Sequence, residues 1–429
     1  MQRVRMTRYF GRVSAIQGGV ILVSGLNTHA SVGDRVVFSM RSEQDLSGEV
    51  VSLLPDAAGV LAEGPTEGLS IGTQVELLFA PVLAPANGWI GRIIDPFGQP
   101  LDGRPLTAGA EERSFRSPPP PAATRNRLGQ RLDSGLAVFD TLLPLVRGQR
   151  MGLFAGSGVG KSTLLSALAR GVTADVVVVA LVGERGRELR EFVEETLGPE
   201  GMARAVVVAA TSDQSPLTRR RCAWAAMTVA EHFRDQGRHV LFLADSITRF
   251  AEAHREIALA AGESPSYRGF PPSTSHLIMS LAERSGPGPV GSGDITAIFS
   301  VLVAGSDMEE PVADILRGVL DGHVVLDRAI AERGRFPAVD VLRSVSRSLP
   351  QAASAAENAL IAKARAALGA YAESELMIRA GLYAPGSDAK LDEAVRIYPA
   401  LDAFFTRKSA GARQSFALLA EALGLPPPR

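Results

Sequence analysis

Cysteine is almost absent from this 429-residue chain: Cys222 stands alone, so no internal disulfide can form. Its expected place is the core or a helix face, and a lone thiol is compatible with a reducing compartment. Lysine is nearly as scarce. There are four, in a chain that otherwise uses arginine. An excess of either charge is missing too. A net charge of −1 and a pI of about 6.6 exclude a global field toward nucleic acid or an anionic membrane, and leave only a local basic patch open. Long apolar runs are lacking. The longest, residues 176–182, is far short of the ~20 residues that span a bilayer. The opening MQRVRMTRYF has basic residues but no apolar run behind it, so it does not read as a signal peptide. A cytoplasmic protein is expected, with any membrane contact peripheral or through a partner.

What is present suits a soluble globular protein of two or three domains: 46% hydrophobic and 21% charged residues over 429 positions. Residues 11–83 show short apolar alternations (GVILVSG, DRVVFSM, GEVVSLLPD) cut by turn residues roughly every ten positions, as in a small β-barrel. The barrel is expected over 1–85. GRIIDPFGQPLDGRPL follows, then four prolines at 118–121, which read as a stiff connector within a 104–125 linker rather than as an SH3-type ligand. From Gln149 the character changes. Candidate strands at 150–154, 175–181, 205–209, 239–244, 296–303 and 323–326 alternate with helical stretches, which implies a parallel sheet covered on both faces. An α/β nucleotide-binding domain is expected over 86–349. After Leu349 strands largely vanish, and 350–429 is expected to be a small helical domain.

The chemistry starts at AGSGVGKST, residues 155–163, a match to the phosphate-loop pattern with Ala155 in place of the first glycine. It follows an apolar strand and opens a helix. Gly156, Gly158 and Gly160 let backbone N–H groups close around phosphate oxygens, and the helix N-terminus adds positive potential. Lys161 can reach the β- and γ-phosphates, and the Ser162 hydroxyl can ligate Mg²⁺. The nucleotide-binding set is therefore Gly156, Ser157, Gly158, Val159, Gly160, Lys161, Ser162 and Thr163. HVLFLADS is a buried strand ending in Asp245, placed to orient Mg²⁺, although Asp245 also suits a helix N-cap. In GERGRE, Glu184 follows a strand end and is the candidate for positioning water. Glu188 suits a metal-bound water, and Arg185 can neutralise phosphate charge. ATP and Mg²⁺ are the expected ligands.

Together GQRMGLFAGSGVGKSTLL, LVGERGRE, VLFLADSITRFAEAHRE, the block around VLVAGSDMEEPVADILRGVLDGHVVLDR, and RFPAVDVLRSVSR resemble the type III export ATPases, relatives of the F-type ATP synthase α and β subunits. The likeness runs from about Tyr9 to about Leu401 and is greatest to the flagellar branch, with the injectisome ATPases its near twin. The resemblance implies a RecA-like core in a six-membered ring. It implies Glu184 as the hydrolytic acid, Arg185 near the γ-phosphate, and Glu188 and Asp245 on the metal side. It adds Phe336 and Pro337 where adenine packs, with Tyr383 a candidate for its other side. Arg347 matches an arginine finger that enters the neighbour's site. In F-type rings the acid and the finger lie on different subunit types; here one chain carries both, so a homohexamer with every seam catalytic is expected. Implied partners are a regulatory or stator subunit, a central coiled-coil stalk, the export gate, export substrates and chaperones, at the inner-membrane face. No nucleic acid is expected. Relatives of this kind usually carry a longer N-terminal extension that docks the regulator; the eight residues MQRVRMTR are too short for a stable helix alone, which leaves the mode of regulator docking open. Competing readings are an ATP synthase subunit, a hexameric RNA translocase and a non-catalytic nucleotide-binding ring component. Against the translocase, the barrel offers Phe38 and Phe79 without a clustered aromatic and basic pattern.

Overall fold

The computed structural model describes residues 7–40, 45–303 and 308–427; residues 1–6 of the opening segment lie outside the described residues. Six strands form a closed barrel: β1 (Phe10–Gln17), β2 (Val20–Ser24), β3 (Arg35–Phe38), β4 (Leu46–Leu53), β5 (Ala57–Ala62) and β6 (Gln74–Phe79). Their order is β1-β2-β5-β4-β3-β6, so no edge is left open. Period-2 patterning fills the interior. Val36 and Phe38 of β3 turn in, as do Val13, Ile21, Val23, Val50, Val60 and Val75. Where β1 crosses β2, a side chain at Gly11 would lie 2.5 Å from the Ser24 carbonyl oxygen, so only glycine fits.

The central sheet has eight strands: β7 (Arg92–Ile94), β8 (Arg150–Ala155), β9 (Val176–Glu184), β10 (Ala205–Thr211), β11 (Val240–Asp245), β12 (Ile295–Leu302), β13 (Gly322–Leu326) and β14 (Val339–Ser346). The order is β14-β13-β8-β12-β11-β9-β10-β7. All pairs are parallel except the edge pair β13/β14. In β9 the residues Val177, Val179 and Leu181 pack with Leu164, Leu165 and Leu168 of α1 (Lys161–Gly171). Val176, Val178, Ala180 and Val182 face the other way, onto α3 (Pro216–Asp235) and α4 (Ile247–Ala260). Between α1 and α3 lies the short α2 (Gly186–Glu191). Continuous apolar runs are what burial on both faces requires. Cys222, on α3, is wholly buried, and burial pushes its thiol pKa up.

Two strands escaped the sequence pattern. Arg92–Ile94 is too short to show a period, and its Arg92 is held by Asp102 at 2.6 and 2.8 Å. Val339–Ser346 mixes buried and exposed positions irregularly because it is the antiparallel edge. Beyond α5 (Ser273–Glu283) and α6 (Pro311–Val319), three C-terminal helices complete the chain: α7 (Ala355–Arg379), α8 (Ala389–Phe404) and α9 (Ala412–Ala422). Ser354 and Glu357 close α7 with a reciprocal capping box. Leu360, Leu401, Phe416 and Leu419 join the same apolar core as one sheet face.

A buried ion cluster ties barrel to sheet domain. Glu49 of β4 accepts from Arg220 and Arg221 of α3, each at 2.7 Å, and Glu63 accepts from Arg221 at 2.7 Å. The side chains of Glu49, Arg220 and Arg221 are no more than 6% exposed. Removing one partner would leave buried charge uncompensated. Glu49→Ala should therefore destabilise the barrel–core junction by about 3–5 kcal/mol, read as a lowered thermal midpoint. An unchanged midpoint would show that the cluster is not needed to hold the barrel.

Candidate active site

Strand β8 runs out into residues 156–160, and the turn is made by Gly158 and Gly160 in the left-handed region (φ 77° and 87°). Val159 is buried and anchors the loop, while Ser157 and Gly158 stay exposed. Helix α1 then begins at Lys161, so its first N–H groups face the loop. The Phe336 ring lies over Gly160. A Cβ on Gly160 would sit 3.2 Å from it, so the two segments approach as closely as glycine permits. Phe336 is half exposed and bonded to Pro337.

Asp245 ends β11, on the same carboxyl edge of the sheet, and its Oδ1 forms an ion pair with Lys161 Nζ. The N-cap of α4 is Ser246, whose hydroxyl accepts from the Arg249 N–H at 3.4 Å, so Asp245 itself does not cap the helix. Glu184 is the last residue of β9 and is half buried. Its carboxyl is pushed up to about 7 by burial, by a hydrogen bond shared with Glu188, and by the nearby charge of Asp245. The Glu188 carboxyl, receiving that bond and facing Arg185, is held below its ordinary value. Arg185 is exposed and donates to Glu188 at 3.1 Å.

Arg347 lies elsewhere. It follows the edge strand β14, is exposed, and donates through Nη2 to the Arg317 carbonyl at 3.1 Å. Among the described residues no hydrogen bond or ion pair joins it to Lys161, Glu184, Glu188 or Asp245. Tyr383 bonds Asp392 through its hydroxyl and makes no ring contact with Phe336 among the described residues. One cation at the site was not anticipated. Arg249 lies beside Gly183, its charge favoured by Glu252 first and by Glu184 and Glu188 as well. In sequence it sits within SITRFAEAHRE, where it reads as an ordinary solvated helix residue; only its position one turn past Asp245 gives a hint.

The family model for the ATP synthase alpha/beta family nucleotide-binding domain matches residues 135–346, and that for the T3SS EscN ATPase C-terminal domain matches 353–423. The flagellum-specific ATP synthase of Caulobacter vibrioides is 46% identical, over 99% of this chain and 98% of the relative. The chain belongs to the flagellum-specific ATP synthase family. Its fold matches the assembled ATPase EscN of the enteropathogenic E. coli type III secretion system, with a TM-score of 0.88 at 34% identity over 96% of this chain and 100% of that one. EscN in complex with its central stalk EscO gives 0.86 at 34% identity, with the same coverage. This export ATPase thus has the barrel, parallel-sheet core and helical end expected of its type.

Whether the edge suits Mg-ATP can be judged from its donors. Ser162 presents an exposed hydroxyl on the first turn of α1, and Asp245 supplies one carboxylate. No group of three metal-ligating side chains occurs among the described residues. The Ser162 hydroxyl and the Asp245 carboxylate suit magnesium, which commonly takes one or two carboxylates and fills its remaining positions with phosphate and water. The residues fit.

The Glu184 shift has a sign that can be checked. Its folded value is raised from 4.5 to about 7, so its contribution to stability is present below about 4.5 and is lost as pH rises through about 7. Glu184→Gln removes this term. In nucleotide-free protein, the thermal midpoint of the variant relative to the parent should rise between pH 5 and 8. A difference independent of pH would refute the raised Glu184 carboxyl.

Proposed function

We propose that this export ATPase hydrolyses Mg-ATP at seams between identical chains and works in a flagellar export apparatus. In each site Lys161 and the 156–163 backbone hold the phosphates, and Ser162 and Asp245 hold magnesium, with Glu188 on the metal side. Magnesium, when bound with the nucleotide, supplies charge neutralisation at the phosphate oxygens. Glu184, once ionised, accepts a hydrogen bond from the attacking water and aligns it with the γ-phosphate; a pKa near neutrality suits that task. Arg185 and Arg249 balance the local negative charge. Phe336 and Pro337 offer an apolar face to adenine beside the loop.

The observation that carries the seam is the separation of Arg347 from Glu184. Both belong to one chain, yet Arg347 is fixed to the α6–β13 corner, with its guanidinium on the Arg317 carbonyl and its N–H on the Asp321 carbonyl at 3.0 Å. In a closed ring of six copies joined head to tail, Arg347 of one copy enters the next copy's site. The assembled state of EscN and its stalk complex support a ring of this kind around a central coiled-coil stalk. The other partners in this reading are a regulatory or stator subunit, the export gate, and the substrates and chaperones released by hydrolysis. The site of action is the cytoplasm, peripheral to the inner membrane. No helix among the described residues is long and apolar enough to cross a membrane. An RNA-translocating role is disfavoured because Phe38, one of the barrel aromatics considered for stacking, is fully buried.

Arg347→Ala should lower turnover by ~10³-fold or more while nucleotide affinity stays near that of the parent. Equal loss of binding would remove the finger assignment. Glu184→Gln should bind ATP without cleaving it, as read by nucleotide retention and phosphate release. Substantial residual hydrolysis would transfer the role to Glu188.

A further inference from the structure

Asp245 receives two donors on one oxygen. Lys161 Nζ pairs with Oδ1, and the Ser300 hydroxyl donates to the same Oδ1 at 2.8 Å. Among the described residues Oδ2 accepts no hydrogen bond. Ser300 lies on β12, the strand beside β11. Ala244 pairs with Phe299, so the next residues, Asp245 and Ser300, stand side by side. Strand alternation turns both toward the α1 face, where Leu243 and Ile298 also lie. Ser300 is wholly buried in a strand whose neighbouring residues are Phe299, Val301 and Leu302. A buried hydroxyl is costly unless it is bonded, and among the described residues Asp245 is its acceptor.

The two donors differ in permanence. Lys161 is a flexible cation whose place, once nucleotide binds, is on the phosphates. Ser300 sits in its strand and, among the described residues, gives its hydroxyl hydrogen bond to Asp245. We propose that Ser300 is a positioning residue: its hydroxyl holds Oδ1 of Asp245 so that Oδ2 is presented to the magnesium that accompanies the nucleotide. The inference rests on Asp245 being the metal-side carboxylate. Groups that orient a metal-binding carboxylate typically matter by about 10–100-fold in metal affinity or activity.

The test uses the full chain with Ser300→Thr and Ser300→Val, which have nearly the same shape but differ in the hydroxyl, and Ser300→Ala, which adds no bulk. Each is titrated with Mg²⁺ in two assays, ATP turnover and binding of a fluorescent ADP analogue. Ser300→Val and Ser300→Ala should each raise the Mg²⁺ half-saturation by about tenfold in both assays, with metal-free ADP binding unchanged. Ser300→Thr should titrate like the parent. The inference fails if the valine and threonine variants respond alike, if alanine titrates like the parent, or if metal-free binding falls as much as Mg²⁺-dependent binding. Asp245→Asn separates this failure from a deeper one. Normal Mg²⁺ dependence in Asp245→Asn would overturn the metal-side role of Asp245 itself. Weakened dependence there, with valine matching threonine, would remove only Ser300.

Discussion

The site depends on two opposite charges held almost out of water at the carboxyl edge of a parallel sheet. Lys161 and Asp245 face each other with 11% and 6% of their side chains exposed. Burying such a pair is costly unless the geometry is good and the remaining polar capacity is used. The fold meets the first condition locally and, among the described residues, leaves Oδ2 of Asp245 without a hydrogen-bond donor. A left-handed glycine turn delivers Lys161 at the start of a helix, and β11 delivers Asp245 beside it with a serine on the adjacent strand. In the proposed function each charge gains a second partner, phosphate for the lysine and magnesium for the aspartate. The pair therefore keeps both groups in position without needing to be the tightest partner of either.

Three carboxylates, Asp245, Glu184 and Glu188, crowd the same edge. Burial first, then the hydrogen bond with Glu188 and the charge of Asp245, raise the Glu184 carboxyl, while Arg185 and Arg249 limit the excess negative charge. The edge is also connected mechanically. Ser212 N–H donates to the Glu184 carbonyl, and α3 begins shortly after, carrying Arg220 and Arg221 to the barrel carboxylates. The barrel is thus bound to the helix that starts beside the carboxyl end of β9.

How much of this could be read in the sequence follows from how local each signal is. The loop, Asp245, Glu184 and Glu188 were legible because strand end, turn and helix start are contiguous in the chain. Their grouping follows once the strands are parallel. Arg347 and Phe336 carry no local signal and were identified only through family resemblance, because their proposed partners belong to another segment or another copy. Arg249 and Ser300 were missed for opposite reasons: one reads as a solvated helix charge, the other as a stray polar residue in an apolar strand. The Glu49–Arg220–Arg221 cluster joins residues 171 and 172 positions apart, and nothing in either segment names the other.

The central claim is that one chain holds half a site. It can be tested by mixing two inactive variants, Lys161→Ala and Arg347→Ala. In rings assembled at random from equal amounts, about a quarter of the seams would join an intact Lys161 to an intact neighbouring Arg347. Hydrolysis well above either variant alone is the predicted result. A mixture as inactive as its parts, under conditions where mixed rings are shown to form, would place the whole site within a single chain and contradict the account.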